Sequence, residues 1–453
     1  MVNDSKKCWL AITGICFASA VQPINFSLVT IGVPAIQKEF SASILELQWM
    51  LNIFGIVISI FLVTMGRLAD TFGRKRLFLT GILGAGCSSL MSGFASSPAW
   101  IIAAQGIMGL AGSILLPVSQ ALISHAFPDK ERGRAIGIWA SMMGTALCAG
   151  PIVGGSLISL WGWRSIFFIN IPLLLLALPL ILRYAKESKS VIHRGELDLA
   201  GLIVLAVAIG SLVVGIVQGP DWGWDSPRIL LLLGIFILST ISLIFIERKA
   251  RFPIIHPEFF LKPTFLFASL GNFCMMFYVW PFLFLMPLYL QNVRNDTPFQ
   301  AGLIMLFAMT PVALFSSSVG KFYGKVGPRA PIILGFLSFL VSIVLQFFFE
   351  ATSSLLLTSA GCLFFGIGTV LIWGPSTTAA ISALPKDLAA VASGGFSTVQ
   401  EIGGTVGLTI IGTLFRIGHP QFMVGFRYGL WALAPILAIG LLAALPLSKH
   451  KTK

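Results

Sequence analysis

Fourteen long apolar stretches, separated by short polar breaks, constrain this chain more than any other feature. They fall at residues 9–33, 47–65, 77–95, 100–126, 136–160, 165–182, 199–217, 229–246, 265–290, 300–319, 330–349, 354–376, 388–415 and 428–447. About 20 mostly apolar residues suffice for a helix to cross a bilayer. Such a segment must be helical, because lipid offers its backbone no hydrogen-bond partner and a helix satisfies its own. The expected fold class is therefore an all-α polytopic membrane protein with 14 transmembrane helices. Composition agrees, since only 10% of the residues are charged and 56% are hydrophobic, against about 25% charged in soluble domains. Soluble, disordered and disulfide-scaffold classes are excluded. An outer-membrane barrel is excluded too, because its strands alternate polar and apolar residues and these stretches do not.

The net charge of +13 raises the question of a polyanionic partner. The cations are scattered through short loops rather than gathered on one surface, so no nucleic-acid partner is expected. If the N-terminus is cytoplasmic, only Lys38, Arg164, Arg228, Arg294, Arg416 and Arg427 of the 30 Lys and Arg fall on the outer side. Cytoplasmic loops of polytopic proteins carry this excess, so the helix count and the orientation support each other. Both termini are expected in the cytoplasm. Lys6, Lys7 and the small residues Ala18-Ser19-Ala20 look like a cleavable leader. The apolar stretch continues past them to Val33, so it reads as a retained first helix. Cys8, Cys16, Cys87, Cys148, Cys274 and Cys362 form no CxxC pair or Cys/His cluster. They read as small apolar residues, and no metal site is expected.

The chain also repeats itself. Gly66-Arg67-Leu68-Ala69-Asp70-Thr71-Phe72-Gly73-Arg74-Lys75 follows the second stretch, and Gly320-Lys321-Phe322-Tyr323-Gly324-Lys325-Val326-Gly327-Pro328-Arg329 follows the tenth. Each lies between the second and third helices of a six-helix set. The expected organisation is an N-terminal six-helix bundle at 1–183, an extra helix pair with flanking cytoplasmic loops at 184–263, and a C-terminal six-helix bundle with a short tail at 264–453. Internal halves of this kind are a mark of transporters, with substrate bound near the midplane between them.

Of the 17 Asp and Glu, one lies deep inside an apolar stretch: Glu401. It stands roughly 20 Å into its helix at 1.5 Å per residue. An acid at that depth is costly, and usually marks a substrate or proton path. Glu401 is the candidate for proton coupling; a structural, hydrogen-bonded carboxyl beside Gln400 is the other reading. Gln22, Asn25, Asn52, Gln105, Asn272 and Gln400 are neutral polar groups in apolar surroundings, with Tyr278 and Trp280 as aromatic neighbours. They either line a substrate cavity or bond between helices.

These residues resemble a known family. The string at 66–75 resembles the loop signature of the major facilitator superfamily. Gly150-Pro151-Ile152-Val153-Gly154-Gly155 resembles the Gly-Pro motif of its antiporters. Trp163-Arg164-Ser165-Ile166-Phe167-Phe168-Ile169-Asn170-Ile171-Pro172 resembles the start of the sixth helix in the fourteen-helix drug:proton antiporter group. The resemblance implies a secondary-active exporter of small amphipathic compounds, drugs or lipophilic metabolites, working by alternating access in the cell inner membrane. Its partners would be a small-molecule substrate, protons and the lipid bilayer, with the protein a monomer and no cofactor.

Physical roles follow for the motif residues. Gly66 and Gly73 permit tight turns. Asp70 can accept bonds from a nearby helix N-terminus and from Arg74 or Arg134 and, with Arg67, form a conformational latch on the inner face. Gly150, Pro151, Gly154 and Gly155 suit a hinge in helix five, where proline removes a backbone donor and the glycines admit a close neighbour. The chain departs from the family in its first and fourth helices. Asn25 stands where the resemblance implies Asp, and Gln105 where it implies Arg. The alternative is therefore a dedicated metabolite or siderophore exporter, or a facilitator, without the usual proton coupling. No HExxH, GxSxG or Walker A string occurs, and His125, His193, His256, His419 and His450 sit near helix ends or in loops. No enzyme, and no catalytic residue, is expected.

Overall fold

The computed structural model describes residues 2–127, 129–188, 198–250, 253, 256–385, 388–418 and 421–447. Parts of the two charged breaks at 183–198 and 247–262, and the C-terminal tail, lie outside the described residues. The helices are α1 (Val2–Phe40), α2 (Ile44–Phe72), α3 (Arg74–Gly93), α4 (Pro98–Ala126), α5 (Asp129–Trp161), α6 (Ser165–Phe168) and α7 (Asn170–Tyr184). There follow α8 (Leu199–Trp222), α9 (Pro227–Lys249), α10 (Pro263–Leu288), α11 (Pro298–Val326), α12 (Arg329–Phe347), α13 (Leu355–Ser382), α14 (Ala389–Ile417) and α15 (Phe422–Ala444). Each expected apolar stretch falls on helix. The sixth is assembled from α6 and α7, joined through Ile169 in helical geometry.

Among the described residues, 12 helices are long and apolar enough to cross a membrane. The two that fall short are α3 and α14. α3 opens on Arg74-Lys75-Arg76, and α14 carries Gln400-Glu401 with many Gly and Thr residues. Several of these polar and small groups meet neighbouring helices rather than lipid, as described below.

Capping explains where the long helices start and stop, and it repeats. Ser43 and Glu46 form a capping box at the start of α2, and Thr297 and Gln300 form one at the start of α11. Each box satisfies two otherwise unpaired backbone donors. Both helices end at a glycine with positive φ, Gly73 at 114° and Gly327 at 76°. Few other residues tolerate such a backbone. The repeated strings thus form the last turns of α2 and α11 with their closing glycines, and the repeat extends to the capped start of each helix.

The chain divides into two compact units, Met1–Asp198 and Leu199–Lys453. In the first, α1 is the central element and packs against α4, α5 and α7, while α2 and α3 pack on α4. In the second, α10 is central and packs against α13, α14 and α15, while α11 and α12 pack on α13. Central helices need apolar or paired residues on every side, and the sequences of α1 and α10 supply them. At the outer edge of the first unit, Glu39 accepts hydrogen bonds from Trp163 Nε1 and Arg164 Nη1, each at 2.6 Å. This closes the end of α1 onto α6.

The helices α8 and α9 group with the second unit, where α8 packs on α9 and on α14. Within α9 only Ile229 and Glu247 are buried, so the face turned away from α8 is not covered by the described helices. Arg416, in the last turn of α14, donates to Asp221 Oδ2 at 2.8 Å and to the Val217 carbonyl, both on α8. Its side chain is only 13% exposed. Hydrogen bonds to charged groups contribute about 1.5–3 kcal/mol. We therefore expect Arg416→Ala to lower the thermal midpoint in detergent by several degrees. Asp221→Asn, which keeps an acceptor, should lower it less. Equal midpoints for wild type and Arg416→Ala would show that α8 does not rely on this tie.

Candidate functional site

Two polar networks form inside the apolar helices, one in each unit. In the first, Asn25 on α1 is the hub. Its Nδ2 donates to Gln105 Oε1 on α4 at 3.2 Å, and its Oδ1 accepts from Asn170 Nδ2 on α7 at 3.2 Å. The same Asn170 nitrogen reaches Ser89 Oγ on α3 at 3.1 Å. Four helices are thereby tied through uncharged groups alone. Two ends of the chain are open, since Gln105 Nε2 and Asn170 Oδ1 are buried and have no hydrogen-bond partner. Asn52 on α2 is fully buried with both amide atoms unpartnered. It occupies the same level as Gln105, because a Cβ on Gly106 would come 3.5 Å from Ile53. Gln22 packs its stem over Gly112 of α4.

In the second unit, Asn272 on α10 donates to Gln400 Oε1 on α14 at 3.0 Å, and accepts from Ser376 Oγ on α13 at 3.4 Å. Glu401 follows Gln400 directly and is half-buried. Its backbone carbonyl accepts from Thr405 Oγ1 at 2.9 Å. The close seat of α14 on α10 comes from glycines: a Cβ on Gly403 would fall 2.7 Å from the Phe273 carbonyl, and one on Gly404 within 2.6 Å of the Trp280 ring. Trp280 is thus packed over the turn that follows Glu401. Tyr278 points elsewhere. Its hydroxyl shares a hydrogen bond with Ser342 Oγ at 3.1 Å and accepts one from Gln346 Nε2, both on α12. Its ring lies among Phe282, Phe339 and Phe365.

Gly66, Arg67 and Asp70, expected in a loop with Gly66 at a tight turn, lie instead in the last two turns of α2, which continues to Phe72. Only Gly73 stands at a turn. The residues of the expected latch separate into two places. Asp70, near the end of α2, pairs with Arg74, the first residue of α3, whose Nε donates to Oδ1 at 2.7 Å across the corner at Gly73. Arg134 lies instead over the Trp9 ring, 5.3 Å from its centroid. Gly66 faces Pro117 of α4, and the Arg67 carbonyl accepts from Thr71 Oγ1 at 3.2 Å. The glycines of α5 meet α1: a Cβ on Gly150 would overlap Ser27, and one on Gly154 would come 2.5 Å from Ile31. Pro151 and Gly155 are buried in the same stretch.

Sequence reasoning missed Asn170, Ser89, Ser376, Gln346 and Glu187. Asn170 and Gln346 carried a signal, as amides within apolar helices. The serines carried none, because a hydroxyl can return its hydrogen bond to its own helix anywhere. No group of three or more His, Cys, Asp or Glu suited to a metal ion occurs among the described residues.

Comparison with known proteins follows the same lines. The model of the Major Facilitator Superfamily matches residues 15–408. The chain is 34% identical over 389 residues to the multidrug resistance protein Stp of Mycobacterium tuberculosis (strain CDC 1551 / Oshkosh), covering 85% of this chain and 72% of that one. It is 30% identical over 416 residues to the tetracenomycin C resistance and export protein of Streptomyces glaucescens, covering 90% and 77%. Among solved structures, a peptide transporter POT in complex with sulfate superposes with a TM-score of 0.71 at 12% identity, covering 96% of this chain and 93% of that one. A bacterial homolog of the human lysosomal transporter Spinster, inward-facing and occupied, gives 0.68 at 15% identity, covering 96% and 95%. At these identities the likeness to solved structures is one of fold.

Proposed function

The chain belongs to the Major Facilitator Superfamily, and we propose that this membrane transporter exports small amphipathic compounds, drugs or lipophilic metabolites, in exchange for protons. It is a transporter and not an enzyme. The observation that carries the export reading is the extended similarity to a multidrug resistance protein, over 85% of this chain. Proton exchange rests on Glu401, the single acid deep within an apolar stretch. Gln22, Asn25, Asn52 and Gln105 in the first unit, and Asn272 and Gln400 in the second, serve the substrate by hydrogen bonding, with Trp280 as the aromatic neighbour of the second set. Tyr278, turned onto α12, belongs to the packing there instead. Gly150, Pro151, Gly154 and Gly155 act as the bending point of α5. The protein works as a monomer in the inner membrane with both termini cytoplasmic, and α8 and α9 with their flanking loops form an inserted segment at 184–263 between bundles at 1–183 and 264–453.

Everted membrane vesicles test this reading, with ethidium and tetracenomycin C as probes and the pH gradient imposed or collapsed. Gradient-dependent accumulation of a probe, absent from vesicles lacking the protein, is the expected result. Accumulation of neither probe would count against export of such compounds. A second reading, export or facilitation without protons, draws on the wholly uncharged network around Asn25 and Gln105. It predicts uptake indifferent to the gradient.

The Asp70–Arg74 pair bears on rate rather than recognition in this scheme. Asp70→Asn removes the charge that attracts Arg74 while preserving side-chain size. We expect turnover to fall several-fold with probe binding, followed by tryptophan quenching, unchanged. Weakened binding at normal turnover would place Asp70 at the substrate instead.

A further inference from the structure

The start of α3 is electrostatically unfavourable by itself. Its first three residues are Arg74, Lys75 and Arg76, and a helix N-terminus already carries partial positive charge from its unpaired N–H groups. Asp70 answers Arg74. The remainder is answered from 112 residues further along the chain. The Lys75 N–H donates to Glu187 Oε1 at 3.0 Å, and the Arg76 N–H to Glu187 Oε2 at 3.2 Å. The Arg74 N–H donates to the Ser188 carbonyl at 3.0 Å. Lys75 Nζ donates to the Leu182 carbonyl at 2.8 Å, and Arg76 Nε lies 3.9 Å from the Glu187 carboxylate. One carboxylate thus grips two successive backbone donors, one with each oxygen, in the strong charge-assisted form of such bonds.

Gly73 is shaped for this grip. Its φ of 114° suits glycine, and a Cβ there would lie 2.9 Å from the Glu187 carboxyl carbon. A glycine in that conformation leaves the corner between α2 and α3 without a side chain to fix it, so the carboxylate does the fixing. The second half does this differently. There α12 begins behind Pro328 and carries Pro331 in its first turn, with no side-chain cap. Proline has no N–H, so fewer donors need an acceptor. The Glu187 side chain is 33% exposed, and water can take over the freed N–H groups. The contact therefore sets shape at little cost to folding.

We propose that Glu187 is a positioning residue of the transport cycle: it clamps the start of α3 to the segment after α7 and so holds the Asp70–Arg74 corner in the form that lets the two access states interconvert. This rests on the alternating-access reading and is independent of the role given to Glu401. Single-molecule fluorescence tests it without any substrate. Dyes are placed on Ser96→Cys and Thr352→Cys, both exposed positions, after Cys8 and Cys87 are replaced by Ser; the other four cysteines are buried. In Glu187→Ala, hydrogen exchange at the Lys75 and Arg76 amides should rise about tenfold, as for loss of one hydrogen bond of ordinary strength. The dwell times of the two states should shift several-fold, with both dye distances and protein yield unchanged.

Glu187→Gln, which keeps one acceptor, should fall between. Gly73→Ala should shift the dwell times in the same direction, and the double variant Gly73→Ala/Glu187→Ala should go no further than the more affected single one. Unchanged dwell times in Glu187→Ala would overturn the proposal, whether or not the amides lose protection, and so would a wild-type protein with only one distance. Shifts that multiply in the double variant would overturn it as well. Vesicle export has no part in this readout, so its failure and that of the export reading are told apart.

Discussion

Glu401→Gln is expected to reduce pH-gradient-driven accumulation of either probe to the level of vesicles lacking the protein, with the amount of protein in the membrane unchanged. The substitution is nearly isosteric and keeps a hydrogen-bonding side chain beside Gln400. It removes only the capacity to take up and release a proton. Gln is also less costly than an acid in an apolar helix, and the adjacent Gln400 already shows an amide accommodated in this turn, paired with Asn272. A folding defect is therefore not the expected consequence. Exchange of labelled for unlabelled probe across the membrane, which needs no net proton movement, should survive in the same variant. Glu401→Asp, with its carboxyl drawn back by one methylene, should retain partial gradient-driven activity. Undiminished gradient-driven export in Glu401→Gln would remove this residue from coupling and favour the proton-independent reading. Loss of both activities would assign Glu401 to the substrate.

How much of this was legible in the sequence depends on the range of the interaction concerned. The helices were legible because hydrophobic length is a local property, and a bilayer-spanning length leaves one conformation open to the backbone. Glu401 was legible for the same reason: an acid inside an apolar stretch is visible without knowing its neighbours. The repeat was legible in its loops, and could have been read further. Ser43 with Glu46 and Thr297 with Gln300 are recognisable capping boxes. Contacts between helices were not legible, because a helix buried on every side gives no periodicity from which to read its rotation. On α10, Asn272 and Tyr278 look alike in sequence, yet one meets α14 and the other α12. The role of Glu187 was hidden behind its 112-residue separation from Lys75. Arg134 was a reasonable partner for Asp70 by charge alone, and its place over Trp9 depends on how α1 and α5 pack.

The seat of α14 on α10 gives the other large effect, and it concerns stability rather than coupling. Gly403 and Gly407 are four residues apart and so lie on one face of α14. A Cβ on Gly403 would fall 2.7 Å from the Phe273 carbonyl, and one on Gly407 would overlap the Phe277 carbonyl. Both obstacles are backbone atoms, which cannot rotate away as a side chain can. Small residues at such seams let helices approach closely, which is where association within a bilayer gains its packing energy. Overpacking a tight interior typically costs 1–3 kcal/mol, so Gly407→Val, with backbone in the way, should cost about 3 kcal/mol or more. The expected result is a severe loss of monodisperse protein in detergent, with any remainder melting well below wild type. Gly407→Ala should show a milder form of the same defect. Gly395, on the same helix, supplies the control: a Cβ there meets nothing within 4 Å, so Gly395→Ala should melt at or slightly above the wild-type temperature, since Ala favours the helix more than Gly does. Wild-type behaviour of Gly407→Val would mean that α10 and α14 do not rest this closely together. Glu401 lies about half a turn before Gly403 and less than two turns before Gly407, so the position of the acid would then have to be drawn again.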